Sequence, residues 1–467
     1  MAKKHRISQQ DSSQRFFIMN EQQTDVLIIG AGFAGIAAAK KLHSLNSNFL
    51  VVEARDRIGG RTLTETFEGN IMLDLGAKWL GPTQQLVWEW VRETNTATYE
   101  TYNKGRNILI YKGKISYYTG TIPKIGMLSL LDLGNAINQL EKLAATIDTQ
   151  KPWQHPKAAY YDEMTLRTWI RQHTRTEAAR HMLEIGIQTV FAAESSEISL
   201  LFALFYLRSG DNLETLISIT NGAQQTILKE GTQGLLKKIA APFGNRILLN
   251  SPVQKIAQDE TGVTVSTPQG IIRARKCILT VPPALQERIH FEPPLPQQKA
   301  QLNQRMPMGA AMKCFAVYPT PFWRKKGLSG QVISDEFPVK VTFDTGNGDS
   351  EHGKMLVFVE GNDARHFISL PPEMRKQMVL EKLVRFFGKE AAHPIFYTDK
   401  CWTEEEWTRG CYVGLMAPNT LTHFGPHLRT PFGNVHFAGT ETADRWNGYL
   451  DGAIQSGYRA AAEVLQT

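Results

Sequence analysis

The chain has 467 residues, enough for two domains with substantial cores. Hydrophobic residues make up 42% and charged residues 21%, and the formal charge of +7 comes from scattered cations rather than a basic tract, so no nucleic-acid partner is expected. The longest strongly apolar stretch, 198–207, contains a serine and is too short to span a bilayer, so no transmembrane anchor is expected either.

Residues 1–23 read as a disordered leader: MAKKHRISQQDSSQRFF is basic but lacks the apolar core of a secretory signal, and Met19 is an alternative start. From Asp25 to Ile29 a short apolar run predicts a strand, which runs into Gly30-Ala31-Gly32-Phe33-Ala34-Gly35 and then the helix formers Ile36 to Ala39. In such a strand–turn–helix one glycine forms the turn, one lets backbone approach a pyrophosphate and one lets helix and strand pack, with the phosphates at the positive helix end. A second apolar run, Phe49 to Val52, ends at Glu53, which is placed to accept hydrogen bonds from ribose hydroxyls. The next stretch, Arg55-Asp56-Arg57-Ile58-Gly59-Gly60-Arg61-Thr62, brings a glycine pair and further cations toward the same pyrophosphate, an arm that NAD sites do not usually need; a solvated basic loop is the alternative.

Helical spacing covers 125–149 (Met127, Leu130, Leu131, Leu133, Ile137, Leu140, Leu143) and 165–207, whereas 312–318, 339–343 and 355–359 read as strands. Between them, 246–249, 262–265 and 277–281 also read as strands, the last stopped by Pro282-Pro283. Near the end, Ala438-Gly439-Thr440-Glu441-Thr442 and Gly448-Tyr449-Leu450-Asp451-Gly452 form a second glycine-rich signature, and the two signatures together describe a site for FAD. The cofactor domain must therefore be discontinuous. The expected fold is α/β (α+β overall): a Rossmann-like FAD-binding domain from 24–98, 229–302 and 405–467, and a substrate domain from 99–228 and 303–404 with a mixed sheet covered by helices. The four cysteines, Cys277, Cys314, Cys401 and Cys411, lack metal-ligand spacing, which predicts free thiols in a reducing, cytoplasmic compartment and no metal.

GAGFAG, VVEARDRIGGRT, DLGAKWLGPTQ (74–84), ITNGAQQ (219–225), VPPALQERIHFEPPLP (281–296), MKCFAVYPTPFWRKK (312–326), RGCYVG (409–414) and HFAGTETADRWNGYLDGA (436–453) resemble, in the same order, the flavin-dependent amine oxidases, and most of all the monoamine oxidases. The resemblance implies FAD-dependent oxidation of an amine to an imine, with hydride transfer to flavin N5 and oxygen reduced to peroxide. It implies an amine and O2 as small-molecule partners, and a homodimer. Mitochondrial monoamine oxidases carry a C-terminal membrane helix, whereas this chain ends at Thr467 after AIQSGYRAAAEVLQ, so a soluble enzyme is expected.

By the same resemblance Tyr412 and Tyr449 flank the substrate nitrogen, and Lys313, one charge in an apolar strand, holds a water near N5; a solvent-facing edge lysine is the alternative. Gly76, Ala77, Trp402, Thr440, Gly448 and Leu450 are expected against the cofactor, with the backbone of Val253 at the adenine. Cys411 is a candidate for an 8α-S-cysteinyl thioether to FAD, but Thr408-Arg409-Gly410 departs from the serine-glycine-glycine common before the cysteine of the covalent enzymes, and a buried unreactive thiol is the alternative. The substrate pocket is expected to be lined by Thr189, Val190, Ile217, Gln224, Val341 and Phe358. Ile217 matches a gating residue, and Val341 stands in place of an aromatic. No carboxylate occurs among the six, which favours a monoamine; a polyamine or putrescine oxidase, an L-amino-acid oxidase with Arg208 as a distant carboxylate ligand, and a dehydrogenase using another electron acceptor are the alternatives. Lys78 and Thr189 stand where relatives have small and aliphatic residues.

Overall fold

The computed structural model describes residues 20–121, 123–347 and 352–466. The first apolar run grows into a ten-residue strand, β1 (Asn20–Ile29), whose start pairs in parallel register with Gly270–Arg273. Residues 20–23, assigned to the leader, thus belong to the sheet: backbone pairing holds them, and their polar side chains carry no apolar signal. Residues 1–19 lie outside the described residues.

After β1 the chain turns at Gly30 (φ +103) into α1 (Phe33–Ser44) and returns through β2 (Phe49–Val52), parallel to β1. Val26, Ile28 and Val51 pack with Ile36, Ala37 and Ala38 of α1 in one buried cluster, the apolar matching that closes a βαβ unit. On the far flank β1 pairs with Gly270–Leu279, which continues to the hairpin Lys255–Asp259/Gly262–Thr267 and to Val435–Phe437 near the C-terminus. One sheet therefore gathers strands from three distant parts of the chain. The strand expected over 277–281 stops at Leu279; the Thr280 amide and hydroxyl both end on the Ile29 carbonyl, at 2.9 and 2.8 Å, and Pro282 has no N–H to carry the ladder on. The strand at 246–249 shrinks to Ile247–Leu248 after a 3₁₀ turn containing Pro242. The last helix, Leu450–Gln466, lies on α1, where a Cβ on Gly457 would sit 2.1 Å from the Ala34 carbonyl oxygen.

A second sheet runs in the order Phe396–Cys401, Ala311–Tyr318, Gly353–Glu360, Val341–Asp344, Leu328–Ser334, Arg106–Tyr111, Lys114–Tyr118. The helical spacing of 125–149 produces Met127–Ala144, but its buried stripe is Leu133, Ala136, Leu140 and Ala144; Met127 and Leu131 in the first turns are exposed. The 165–207 segment breaks into Leu166–His173, Glu177–Phe191 and Leu200–Ser209, each capped by the hydroxyl of Thr165, Thr176 or Ser199 on a backbone N–H. One face of the sheet (Phe315, Phe343, Leu356, Phe358) shares a core with these helices. Among the described residues no helix is long and apolar enough to cross a membrane.

Candidate active site

A cavity opens where β1, β2 and Gly270–Leu279 end at their carboxyl edges, and its far wall is the face of the second sheet bearing Lys313 and Phe358. Ligands of open α/β sheets bind at such carboxyl edges. Two of the three leading glycines are demanded by the protein itself: a Cβ on Gly30 would lie 2.3 Å from the Thr280 hydroxyl, and one on Gly35 would lie 1.9 Å from the Gly30 carbonyl oxygen. Gly35 accordingly packs helix on strand and is off the cavity wall. Gly32 differs. Its φ is −78°, and the nearest atom to a Cβ there would be 3.8 Å away, so no internal contact requires glycine. It is the N-cap of α1, no side chain caps the helix, and it lines the cavity. The missing side chain keeps open the space over free helix N–H groups, as a pyrophosphate needs.

Glu53, 3% exposed, stands on the same wall and is tied to the loops around it: its Oε2 accepts the Ala31 amide at 2.8 Å and its Oε1 the Arg55 amide at 3.0 Å. The three cations of the second arm divide. Arg55 reaches the wall while paired to Glu53 and Glu405, and Arg61 does so while gripping Glu441 at 2.6 and 3.1 Å and the Tyr412 carbonyl at 2.7 Å. Arg57 points back to the carbonyls of Thr62 and Gly60, bracing its own loop away from the wall. Gly60, Gly76, Ala77 and Val253 lie on the wall as expected. So do Trp402, whose indole N–H donates to the Leu75 carbonyl at 2.9 Å, Thr440, Gly448 and Leu450 at the start of the last helix.

The chemistry-bearing residues converge on the same cavity from separate elements. Lys313 is 4% exposed on an interior strand flanked by Phe396–Cys401 and Gly353–Glu360, which removes the edge-lysine alternative; its ammonium donates to the Gly76 carbonyl. Burial first, and the neighbouring Lys78 second, lower its pKa to about 7. Tyr412 and Tyr449 both line the cavity and burial raises both phenols. Tyr449 rests edge-on against Trp446 at 4.9 Å, and Gly448 before it takes φ +85° where a Cβ would strike the Tyr206 hydroxyl at 2.4 Å. Cys411, buried beside Tyr412 on the wall, has its thiol pushed up to about 12 by burial.

Of the six expected pocket residues, Thr189, Val190, Gln224 and Phe358 reach the wall. Ile217 and Val341 do not. Ile217, the last residue of a five-residue helix, packs against the core while Leu216 faces the cavity; Val341, 5% exposed, is buried opposite Phe358 while Phe343 takes the wall position. Lys78 lies on the wall but is held by Asp74 at 3.4 Å, and Arg208 is exposed and off it. Sequence reasoning gave no role to Trp79 and Glu441, though both fall inside segments it singled out, nor to Tyr206 and Glu360. That carboxylate ends the apolar strand MLVFVE, the same signal that drew attention to Lys313; it is wholly buried and accepts the Tyr412 hydroxyl at 2.6 Å.

A glycine cradle at a helix N-terminus, a buried carboxylate after the second strand and a second glycine-rich helix start on one cavity define a dinucleotide-binding protein. The family model of flavin-containing amine oxidoreductases matches residues 33–465. The protein AofH of Mycobacterium tuberculosis is 40% identical over 440 residues, covering 94% of this chain and 96% of that one. Flavin-containing amine oxidase B of Cavia porcellus is 36% identical over 446 residues, covering 94% and 86%. The structure of wild-type putrescine oxidase bound to putrescine superposes with a TM-score of 0.91 at 32% identity, covering 96% and 100%. The chain belongs to the flavin-containing amine oxidoreductase family, and its cofactor is FAD.

Proposed function

We propose that the protein oxidises monoamines with apolar or aromatic tails to imines, which water hydrolyses to aldehydes. The observation that carries this reading is the convergence of Lys313, Tyr412 and Tyr449 on the cavity that the glycine cradle enters, with Val190, Leu216, Phe343 and Phe358 forming its tail end. FAD, when bound, accepts a hydride equivalent from the carbon beside nitrogen and delivers the electrons to oxygen, giving peroxide. The residues' own work is to hold the amine, keep water out and favour its neutral form. An ammonium has no lone pair to release, and an apolar cavity disfavours it. The tyrosine rings attract the arriving cation and then orient the free amine. Lys313, anchored on the Gly76 carbonyl and titrating near neutrality, can hold a water or pass a proton where oxygen reacts.

A diamine would need a carboxylate for its distal ammonium, and among the described residues the carboxylate on the wall is Glu53 at the nucleotide end. Of the wall arginines, Arg55 and Arg61 are paired with Glu405 and Glu441, and Arg288 donates to the Glu406 carbonyl, so the two nearest the glycine arm are not free for an α-carboxylate. The Cys411 thiol beside Tyr412 supports a thioether to FAD, and four buried free cysteines support a cytoplasmic setting. Anaerobic titration with benzylamine, putrescine and an L-amino acid tests the reading: benzylamine bleaches the flavin, and bleaching by putrescine or the amino acid alone overturns it. A Tyr412→Ala, Tyr449→Ala double variant keeps FAD and loses flavin reduction; reduction at the wild-type rate refutes the cage.

A further inference from the structure

Glu360 closes the strand Gly353–Glu360 on the face that also carries Phe358, and it has no solvent exposure. Its Oε1 accepts the Tyr412 hydroxyl, while Oε2 has no hydrogen-bond partner among the described residues. Thr189 Oγ1 is also without a partner of standard geometry, yet it lies near enough to draw the carboxyl's pKa down. Thr189 and Tyr412 stand on the cavity wall, and Glu360 stands behind them. Burying a carboxylate without a matching cation is costly, so its presence asks for a reason.

The charged neighbours are committed elsewhere. Lys340 pairs with Asp363 at 2.9 Å, and Lys313 donates to the Gly76 carbonyl. Glu194, beside Gly361, takes the Asn362 amide and the side chains of Arg167 and Gln188. Glu360 is left with one strong contact, the phenol of the cage.

We propose that Glu360 is a positioning residue for amine binding, which fixes the Tyr412 hydroxyl and, when ionised, pushes electron density into that ring so that it holds a cationic amine more firmly. This rests on the reading of Tyr412 as a cage wall. A phenol donating to a carboxylate becomes more phenolate-like, its ring face more negative and its attraction for a cation stronger. Burial raises the Glu360 carboxyl to about 7, opposed by the Tyr412 and Thr189 hydroxyls and by Lys340 and Lys313. Protonation of Glu360 therefore weakens the cage within the pH range where the amine itself remains cationic.

The test uses the FAD-loaded protein and cumylamine, a benzylamine with two methyl groups on the carbon beside nitrogen and so no hydrogen there to transfer. Its dissociation constant is measured by calorimetry between about pH 5.5 and 9. Wild-type affinity is expected to rise as pH passes through about 7. Glu360→Gln keeps the side chain's shape and loses the charge, so it is expected to bind about tenfold more weakly at pH 8 and to lose most of the rise. Tyr412→Phe, with no hydroxyl to donate, loses as much of it, while Glu360→Asp loses less. A rise as large as the wild type's in Glu360→Gln or in Tyr412→Phe overturns the proposal, because a purely structural carboxyl would weaken binding without reducing that limb; Lys313, on the same wall and titrating in the same window, leaves only a smaller residual rise. Failure of benzylamine to reduce the wild-type flavin, with the Glu360-dependent limb intact, refutes monoamine oxidation and leaves this inference standing.

Discussion

Removal of the Glu441 carboxylate isolates what holds the cofactor arm to the cage. Glu441 is 3% exposed; it accepts two bonds from Arg61, at 2.6 and 3.1 Å, and one from the Gly414 amide at 3.3 Å, and Arg61 in turn donates to the Tyr412 carbonyl. Glu441→Ala leaves a guanidinium in the interior without its counter-charge, which costs about 3–5 kcal/mol for a broken buried pair. Glu441→Gln keeps the volume and one acceptor oxygen, so its loss is smaller, about 1–3 kcal/mol. Deleting both partners in Arg61→Ala, Glu441→Ala removes the stranded charge, so the double variant is less destabilised than the two single losses added together. Urea unfolding of the FAD-loaded proteins, followed by circular dichroism and flavin fluorescence, measures all three. A Glu441→Ala loss below about 1 kcal/mol, or strict additivity in the cycle, refutes the reasoning.

The glycine argument separates two neighbouring positions. Gly32→Val is expected to yield a folded, colourless protein, because its side chain fills ligand space only, whereas Gly35→Ala collides with the Gly30 carbonyl and destabilises the fold by about 1–3 kcal/mol or more; equal thermal midpoints for the two variants contradict this. Lys313→Met is expected to slow reoxidation of the reduced flavin by oxygen at least about tenfold in stopped flow. Because burial depresses the folded-state pKa of Lys313 to about 7, the folded protein binds fewer protons than the unfolded chain between about 7 and 10.5; the wild type therefore gains stability relative to Lys313→Met as pH rises through that window, and parallel stability curves exclude a buried titrating lysine. Cys411→Ala is expected to release its yellow colour on acid precipitation while the wild type keeps it in the pellet; a colourless wild-type pellet retires the thioether.

Sequence alone determined the βαβ unit and its dinucleotide site, because both are local. An apolar run of strand length, glycines at the turn and Glu53 after the second strand fall within about thirty residues, and backbone sterics and helix-end electrostatics act at that range. It also singled out Lys313, since a charge within an apolar strand must find a partner wherever the strand lies; the same rule, applied to MLVFVE, makes Glu360 legible. The choice of Leu216 and Phe343 over Ile217 and Val341 belonged to tertiary packing, which sets which neighbouring side chain reaches a cavity. So did the fates of the three arginines. Arg61 meets Glu441 across 380 residues and Glu360 meets Tyr412 across 52. No propensity or periodicity encodes such pairs: they form only when folding brings remote strands and turns to one cavity, where burial makes each unpaired charge costly and so decides its partner.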